Sequence, residues 1–548
     1  MHIYKSPQEI SIPQDVNLTE LLHASAHSPP LPPSHEIATD TFEGRSVTLG
    51  ELRQNAGGLA QGLSSHFQPA DQSRWALLMP NGVTFIEAVH AILWQGGVFC
   101  PINHELRAGE IGYAFTVCKP AYAIVWSEVL PLVLEALKTS KEVDPEFNPP
   151  KIITVGSVDG YPSFDSFRSA DSMEVPHHSD TRTRAASIHL SSGTTGKQKG
   201  VLLTHYNYVA NVYQCHAHDP AHWSPPHTSL VYSPMVHIAN TTVPLFLGPW
   251  GGTKHVIMPK LDIPRLCELV EKHRVVDMPL PPALVTALLT GELTKKYDLS
   301  SVKYLVGMGV QNQSVADRLL QLHDWTLVNL YGMTEAAPYV SWSKLGEMLP
   351  AGQVGSFVPN MEFRLCDGDG KDVPVGAKGE LWLRGPNVTP GYIDNPVATA
   401  AAFKEGSWYN TGDVCTISPA GIMAIVGRTK ELFKSSGFQV SPQELEHHLV
   451  GHPHVAEVAV GPVYDEAKQT DVAAAYVILK AHLNDKEDKV TALGHIQGFL
   501  DGKVSGYKRL KGGVWEVTQL PKNGTGKILR HLITEHKTGL VSAPKPKL

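Results

Sequence analysis

At 548 residues the chain is too long for one compact core, and its length suggests roughly three to four domains or subdomains. Hydrophobic residues make up 42% and charged residues 18%, a globular composition that counts against a disordered chain. The formal net charge of −7 counts against general nucleic-acid binding, which needs a basic surface, while leaving room for a local basic site.

The first residues, MHIYKSPQEISIPQ, have neither an apolar centre nor a cleavage pattern, so no secretory leader is expected. No apolar run is long enough to span a membrane. Residues 75–79 read as a buried strand, and residues 85–94 carry apolar side chains at helical spacing. Residues 121–126 and 152–155 read as further strands. Residues 254–258 form another, after which Asp262 is placed to cap a helix through Leu266, Leu269 and Val270. Strands at 303–306 and 326–330 flank a helix near 314–322. Alternating strands and helices imply layered α/β architecture with substantial parallel sheet.

Beyond Pro419 the texture changes. A short apolar run at 421–427 gives way to the polar segment 428–436. Strands are expected at 455–460 and 472–479, and helices at 489–500 and 527–535. We therefore expect a large N-terminal domain of layered α/β subdomains, residues 1–427, and a small α+β domain, residues 428–548. The six cysteines are scattered without a CxxC pair, so neither a zinc framework nor disulfides are expected, and a reducing compartment fits. His216, His218 and His222 form a local histidine group, but no second ligand type accompanies it, and a metal site there is disfavoured. The chain ends Pro546-Lys547-Leu548, which reads either as a Pro/Lys tail or as a variant of the peroxisomal Ser-Lys-Leu address. The expected location is peroxisome or cytoplasm.

The strongest local signal is the segment 190–200, LSSGTTGKQKG, with apolar stretches on both sides. Its glycines let backbone N–H groups approach an anion, its hydroxyls add donors and its lysines add charge, as a triphosphate requires. It is not a Walker loop, because Gln198 follows Lys197 and a strand, not a helix, is expected next. Read alone, the segment is either a phosphate cradle or a connector.

Four further segments decide between these readings by their order: Tyr331-Gly332-Met333-Thr334-Glu335, Tyr409-Asn410-Thr411-Gly412-Asp413, Gly427-Arg428-Thr429-Lys430-Glu431-Leu432, and the lysine-ending run 521–527, PKNGTGK. With the loop, they resemble the motif set of the adenylate-forming superfamily, which includes acyl- and aryl-CoA ligases, peptide-synthetase adenylation domains and beetle luciferase. The resemblance runs from about residue 40 to 535, and the closest likeness is to 4-coumarate–CoA ligase-like enzymes. Leu330 departs from the pattern, standing where the family commonly has glycine.

The resemblance implies roles. Ser191, Ser192, Gly193, Thr194, Thr195, Gly196, Lys197 and Lys199 would grip the phosphates of ATP. Tyr331 would line the adenine, and Thr334 would bond the α-phosphate. Glu335 would hold Mg²⁺, which prefers oxygen ligands and reconciles a carboxylate with a triphosphate. Asp413 would accept from both ribose hydroxyls, with Arg428 in support. Taken singly, Glu335 could be a turn acid on the surface and Asp413 an Asx-turn residue. Lys527 would be the catalytic lysine of adenylation. It lies in a stretch, 503–530, with seven basic residues against Glu516, which read alone could be a solvated face. His237 would border the acyl pocket, or simply pack there.

The implied reaction has two steps. A carboxylate attacks the α-phosphorus of ATP and releases pyrophosphate, and coenzyme A then takes the acyl group from the adenylate. The small domain would rotate about Lys430 between steps, bringing Lys434, Gly437, Phe438 and Gln439 to the pantetheine channel. The acyl pocket would comprise Met235, His237, Ile238, Ala239, Asn240, Gly307, Met308, Gly309, Ala336, Ala337 and Tyr339. That apolar set suits an aryl or medium-length aliphatic acid. His237 stands where amino-acid-activating domains usually hold an aspartate, which disfavours an amino-acid substrate. Free coenzyme A is the expected acceptor, with a separate carrier protein as the alternative.

Overall fold

The computed structural model describes residues 3–24, 31–191, 198–307, 313–344, 346–350, 352–429, 431–435, 438–465, 470–480, 486–522, 528–530 and 532–533. Two large sheets, each parallel in its middle, carry most of the strands that the apolar runs mark.

The first has the order 391–392, 199–204, 185–191, 98–101, 74–78, 122–126, 151–155. Strands Arg74–Leu78, Val98–Pro101 and Tyr122–Trp126 run parallel and almost wholly buried, as their apolar character requires, and the partly buried Lys151–Val155 runs parallel at the edge. Ala185–Ser191 joins this parallel set and then pairs antiparallel with Lys199–Thr204. The glycine-rich segment thus links two adjacent strands, as its flanks suggest. Its residues 192–197 lie outside the described ones.

The second sheet has the order 356–357, 339–342, 326–332, 304–307, 277–279, 227–231, 253–257, 36–40, 45–48. It is parallel from Glu36–Asp40 through Thr326–Gly332 and antiparallel at both ends. Between its strands lies the helix Ile263–His273, capped as expected: Asp262 Oδ1 accepts from the Arg265 amide at 2.8 Å. The helix expected near 314–322 runs Gln313–Leu320. Helix Val83–Trp94 is buried along nearly its whole length. Its Glu87 carboxylate has no solvent exposure and takes Arg45 Nη1 at 2.9 Å and Arg168 Nη2 at 2.7 Å. Burial pushes this acid's pKa up, and hydrogen bonding and charge from the two guanidinium groups more than reverse the shift.

A third, antiparallel sheet follows, built on Glu362–Cys366, Gly379–Arg384 and Trp408–Ile417, with Met423–Arg428 paired to the last. Arg428 is therefore the final residue of a strand of this sheet. After it come the two-stranded ribbon Phe433–Ser435 with Phe438–Val440, and a small sheet of Val455–Asp465, Thr470–Leu479 and Val514–Glu516. Helices Pro442–Val450 and Lys486–Asp501 accompany it, and a separate core of Leu445, Leu449, Val460, Val477, Leu493 and Ile496 closes it. Most of the helix expected over 527–535 lies outside the described residues, and Ile528 instead pairs with Lys522 in an isolated bridge.

No described helix is long and apolar enough to cross a membrane. The histidine group at 216–222 is not one cluster. His216 packs edge-on to Trp250, His218 Nε2 meets the Trp342 carbonyl at 3.2 Å, and His222 turns to Asp277. The spacing of two and four residues along and past one helix end sends each ring to a different neighbour.

Candidate active site

Ligands of open α/β sheets gather at the carboxyl ends of parallel strands. Strand Thr326–Gly332 ends there, and the next residues form the short turn Thr334–Ala336 before the chain returns antiparallel as Tyr339–Trp342. The return is tight enough to demand glycine. A Cβ on Gly332 would sit 2.5 Å from the Pro338 carbonyl oxygen. Tyr331 then faces the third sheet, where its hydroxyl donates to Asp413 Oδ2 at 2.6 Å.

Asp413 also takes Arg428 Nε at 2.8 Å, because Trp408–Ile417 and Met423–Arg428 form a hairpin that sets the two residues opposite each other. Tyr331, Asp413 and Arg428, drawn from three separate motifs, thus meet at one point. The Tyr331 hydroxyl is held protonated by burial and by the negative Asp413 beside it. Burial disfavours the Arg428 charge, and Asp413 more than restores it.

Glu335 is buried in the turn. Tyr392 donates to its Oε1 at 3.0 Å, and the Tyr392 and Tyr409 hydroxyls are 3.3 Å apart. Both phenols have raised pKa values, first from burial and then from the Glu335 charge, so both stay protonated and Tyr392 remains the donor to the carboxylate. Among the described residues no lysine or arginine pairs with this carboxylate. A buried oxygen donor of that kind suits a hard cation such as Mg²⁺. The ring of Tyr392 also carries Lys199, whose Nζ lies 4.9 Å from the ring centre. Gly391–Tyr392 pairs with Leu202 and Val201 of Lys199–Thr204, and Tyr392 thereby joins Lys199 and Glu335 at one corner. The Tyr113 hydroxyl donates to the Gln198 carbonyl at 3.0 Å and holds that end of the loop.

The residues expected to line an acyl pocket follow three strand ends, His227–Val231, Tyr304–Gly307 and Thr326–Gly332. Met235 is buried, its amide held by Asn81 Oδ1 at 2.7 Å and its carbonyl by Thr241 Oγ1 at 2.6 Å. His237 precedes the short helix Ile238–Thr242, which also carries Ala239 and Asn240, and burial lowers its pKa. Thr242 Oγ1 donates to the Ala337 carbonyl at 3.2 Å, which joins this helix to the Ala336, Ala337 and Tyr339 side. Asn211 clamps Tyr339 on both its amide and its carbonyl. Gly307 ends its strand, buried. Behind His237 lies His189, its Nε2 2.9 Å from the Tyr208 hydroxyl and its pKa lowered to about 3 by burial.

Lys434 and Gln439 pair across the ribbon that also holds Phe438. Ser192, Gly193, Thr194, Thr195, Gly196, Lys197, Met308, Gly309, Lys430, Gly437 and Lys527 lie outside the described residues. Sequence reasoning missed Tyr392 as the partner of Glu335. The two lie 57 positions apart, and no local pattern marks the tyrosine.

The chain matches the AMP-binding enzyme family over residues 27–393 and the AMP-binding enzyme C-terminal domain over residues 444–527. It is 31% identical to 4-coumarate–CoA ligase-like 9 of Arabidopsis thaliana, over 93% of this chain and 89% of that one. It is also 31% identical to 4-coumarate:CoA ligase 1 of Petunia hybrida, over 83% and 82%. Its fold is that of ATP-bound MatB from Rhodopseudomonas palustris (TM-score 0.82, 23% identity, covering 96% and 99%). It is equally that of an anthranilate CoA ligase in complex with anthranoyl-AMP (TM-score 0.83, 22% identity, covering 96% and 98%). Fold and site together define an adenylate-forming enzyme with a large N-terminal and a small C-terminal domain. The chain belongs to the AMP-binding enzyme family, among its 4-coumarate–CoA ligase-like acid–thiol ligases.

Proposed function

We propose that the protein activates an aryl or medium-chain carboxylic acid as its acyl-adenylate, with release of pyrophosphate, and transfers the acyl group to the thiol of coenzyme A. The convergence of Tyr331, Asp413 and Arg428 beside the Glu335–Tyr392–Lys199 corner carries this reading, because it puts a ribose acceptor and a phosphate-side cation within one strand-end cleft. Asp413 binds the ribose hydroxyls, Tyr331 backs the adenine, and Thr334 bonds the α-phosphate. Residues 191–199 hold the departing phosphates. Mg²⁺ on Glu335 offsets phosphate charge. Lys527 holds the acid's carboxylate and stabilises charge on the α-phosphate, a contribution of roughly 3–4 kcal/mol for such a preorganised donor.

The pocket walls of Met235, Ile238, Ala336 and Ala337 favour an apolar acyl group, and neutral His237 and His189 add no cation for a second carboxylate. The small domain that follows strand Met423–Arg428 turns about Lys430 to exchange Lys527 for the ribbon of Lys434, Phe438 and Gln439 at the thiol entrance. Acid-dependent exchange of pyrophosphate into ATP, run over aryl and fatty acids and followed by mass detection of acyl-CoA, tests the sequence of steps. Exchange without acyl-CoA would point to a carrier-protein acceptor. Full exchange in Lys527→Ala would remove the lysine from the chemistry.

A further inference from the structure

Away from this cleft, one cluster has the composition of a metal centre. His222 lies in the short helix Pro220–Trp223, His227 opens strand His227–Val231, and Asp277 opens its parallel neighbour Asp277–Pro279. All three are buried, and their candidate ligand atoms lie within 4.8 Å of one another. His222 Nε2 is 3.0 Å and His227 Nε2 is 3.5 Å from the same oxygen, Asp277 Oδ2.

We propose that His222, His227 and Asp277 form a structural site for a divalent transition-metal ion of the zinc type. Two imidazoles and a carboxylate are a recognised donor set for that ion. Tetrahedral bonds of 2.0–2.1 Å separate ligand atoms by about 3.3 Å, close to the spacings seen here. Hydrogen-bond accounting supports the same reading. His227 Nε2 and Asp277 Oδ1 are buried with no hydrogen-bond partner, a combination folded proteins rarely leave unexplained. An ion on the two rings and Oδ2 satisfies the first, and Oδ1 serves as a further donor.

The surroundings contain little else to balance Asp277. His255 on the next strand is fully buried with both ring nitrogens unpartnered. Tyr304 stacks its ring on His227, 6.2 Å between centroids, and contributes no charge. The competing arrangement is a protonated His222 paired with Asp277 and no metal.

The position argues for a structural ion. His227 and Asp277 stand at the amino ends of neighbouring parallel strands, and the carboxyl end of the His227 strand leads into the segment from Met235 to Asn240. A strand of five residues puts these ends about 13 Å apart. The ion would pin the short helix after His218 to the sheet that carries the site, without entering the chemistry.

The test uses the full-length enzyme, stripped by chelator and then dialysed with Zn²⁺ against excess Mg²⁺, which saturates carboxylate-only sites. Wild type should retain a single equivalent by elemental analysis and melt at a higher temperature. His227→Gln and Asp277→Asn should weaken retention by at least about tenfold, the lower end of what outer-shell changes alone cause, and His216→Gln should not. Because the two variants can fail to fold, the Co²⁺-substituted wild type provides a second reading: tetrahedral d–d bands without thiolate charge transfer. The proposal is overturned if wild type retains no Zn²⁺ and gives no such Co²⁺ spectrum, which would leave the protonated ion pair. It is equally overturned if folded variants retain Zn²⁺ as wild type does.

Discussion

Asp413 offers the sharpest test of the nucleotide site, because its structural and ligand roles separate. The residue is 3% exposed and accepts from the Tyr331 hydroxyl and from Arg428. Truncation to alanine strands the buried Tyr331 hydroxyl, at about 1–3 kcal/mol for an unsatisfied buried group. The Arg428 side chain is 31% exposed and can turn to water, so its loss belongs to the surface scale of about 0–1 kcal/mol. Asp413→Ala should therefore cost roughly 2–3 kcal/mol of stability. Asp413→Asn keeps one oxygen for Tyr331 and should cost about half of that. Its effect on catalysis should be larger than its effect on folding. A neutral amide cannot accept both ribose hydroxyls, and losing a charge-assisted pair of about 2–3 kcal/mol lowers kcat/KM for ATP roughly 30- to 150-fold. Pyrophosphate exchange with ATP and with 2′-deoxy-ATP, beside urea unfolding, measures both. Wild type should discriminate against the deoxynucleotide and Asp413→Asn should have largely lost that discrimination. If the variant unfolds earlier yet still discriminates as wild type does, Asp413 is a packing hub and the ribose assignment fails.

Lys430→Pro should preserve pyrophosphate exchange and cripple thioester formation, and equal loss of both half-reactions would count against the hinge. Glu87→Gln should lower stability by about 3 kcal/mol, the low end for a broken buried pair, because Arg45 and Arg168 are each one-third exposed. Glu87 has a folded-state pKa below its ordinary value, so its contribution is present above about pH 4.3 and fades as pH falls through the folded value. Acid unfolding of Glu87→Gln should be correspondingly flatter, and an unchanged acid limb would show the acid does not titrate with folding. Arg530 holds both Glu431, next to the proposed hinge residue Lys430, and Glu446, whose pKa burial raises. Arg530→Ala should raise the Glu446 pKa further, destabilise the small domain by roughly 2–4 kcal/mol, and slow exchange through the neighbouring Lys527 segment. Calorimetry showing an unshifted small-domain transition would refute the coupling.

Much of the fold could be read from the residues alone. Runs such as 75–79 and 121–126 are almost wholly apolar, as strands buried on both faces of a parallel sheet are. Asp262 marked its helix start because a cap acts within three residues. The loop at 190–200 was placed between strands from its immediate flanks. Local rules failed where neighbours are distant. The histidines at 216, 218 and 222 looked like a group, yet His222 pairs with an aspartate 55 positions away.

Sequence sufficed for most elements, because periodicity, caps and turn residues act over a few positions, and the type of chemistry followed from the resemblance of five ordered motifs to a known superfamily. The assembly of Tyr331 with Asp413 across 82 positions, the Tyr392 hydroxyl on Glu335 and the buried His222–Asp277–His227 cluster depend on sheet order and register. Those follow from burying whole faces against one another, a long-range competition that leaves no signature in any short stretch of chain.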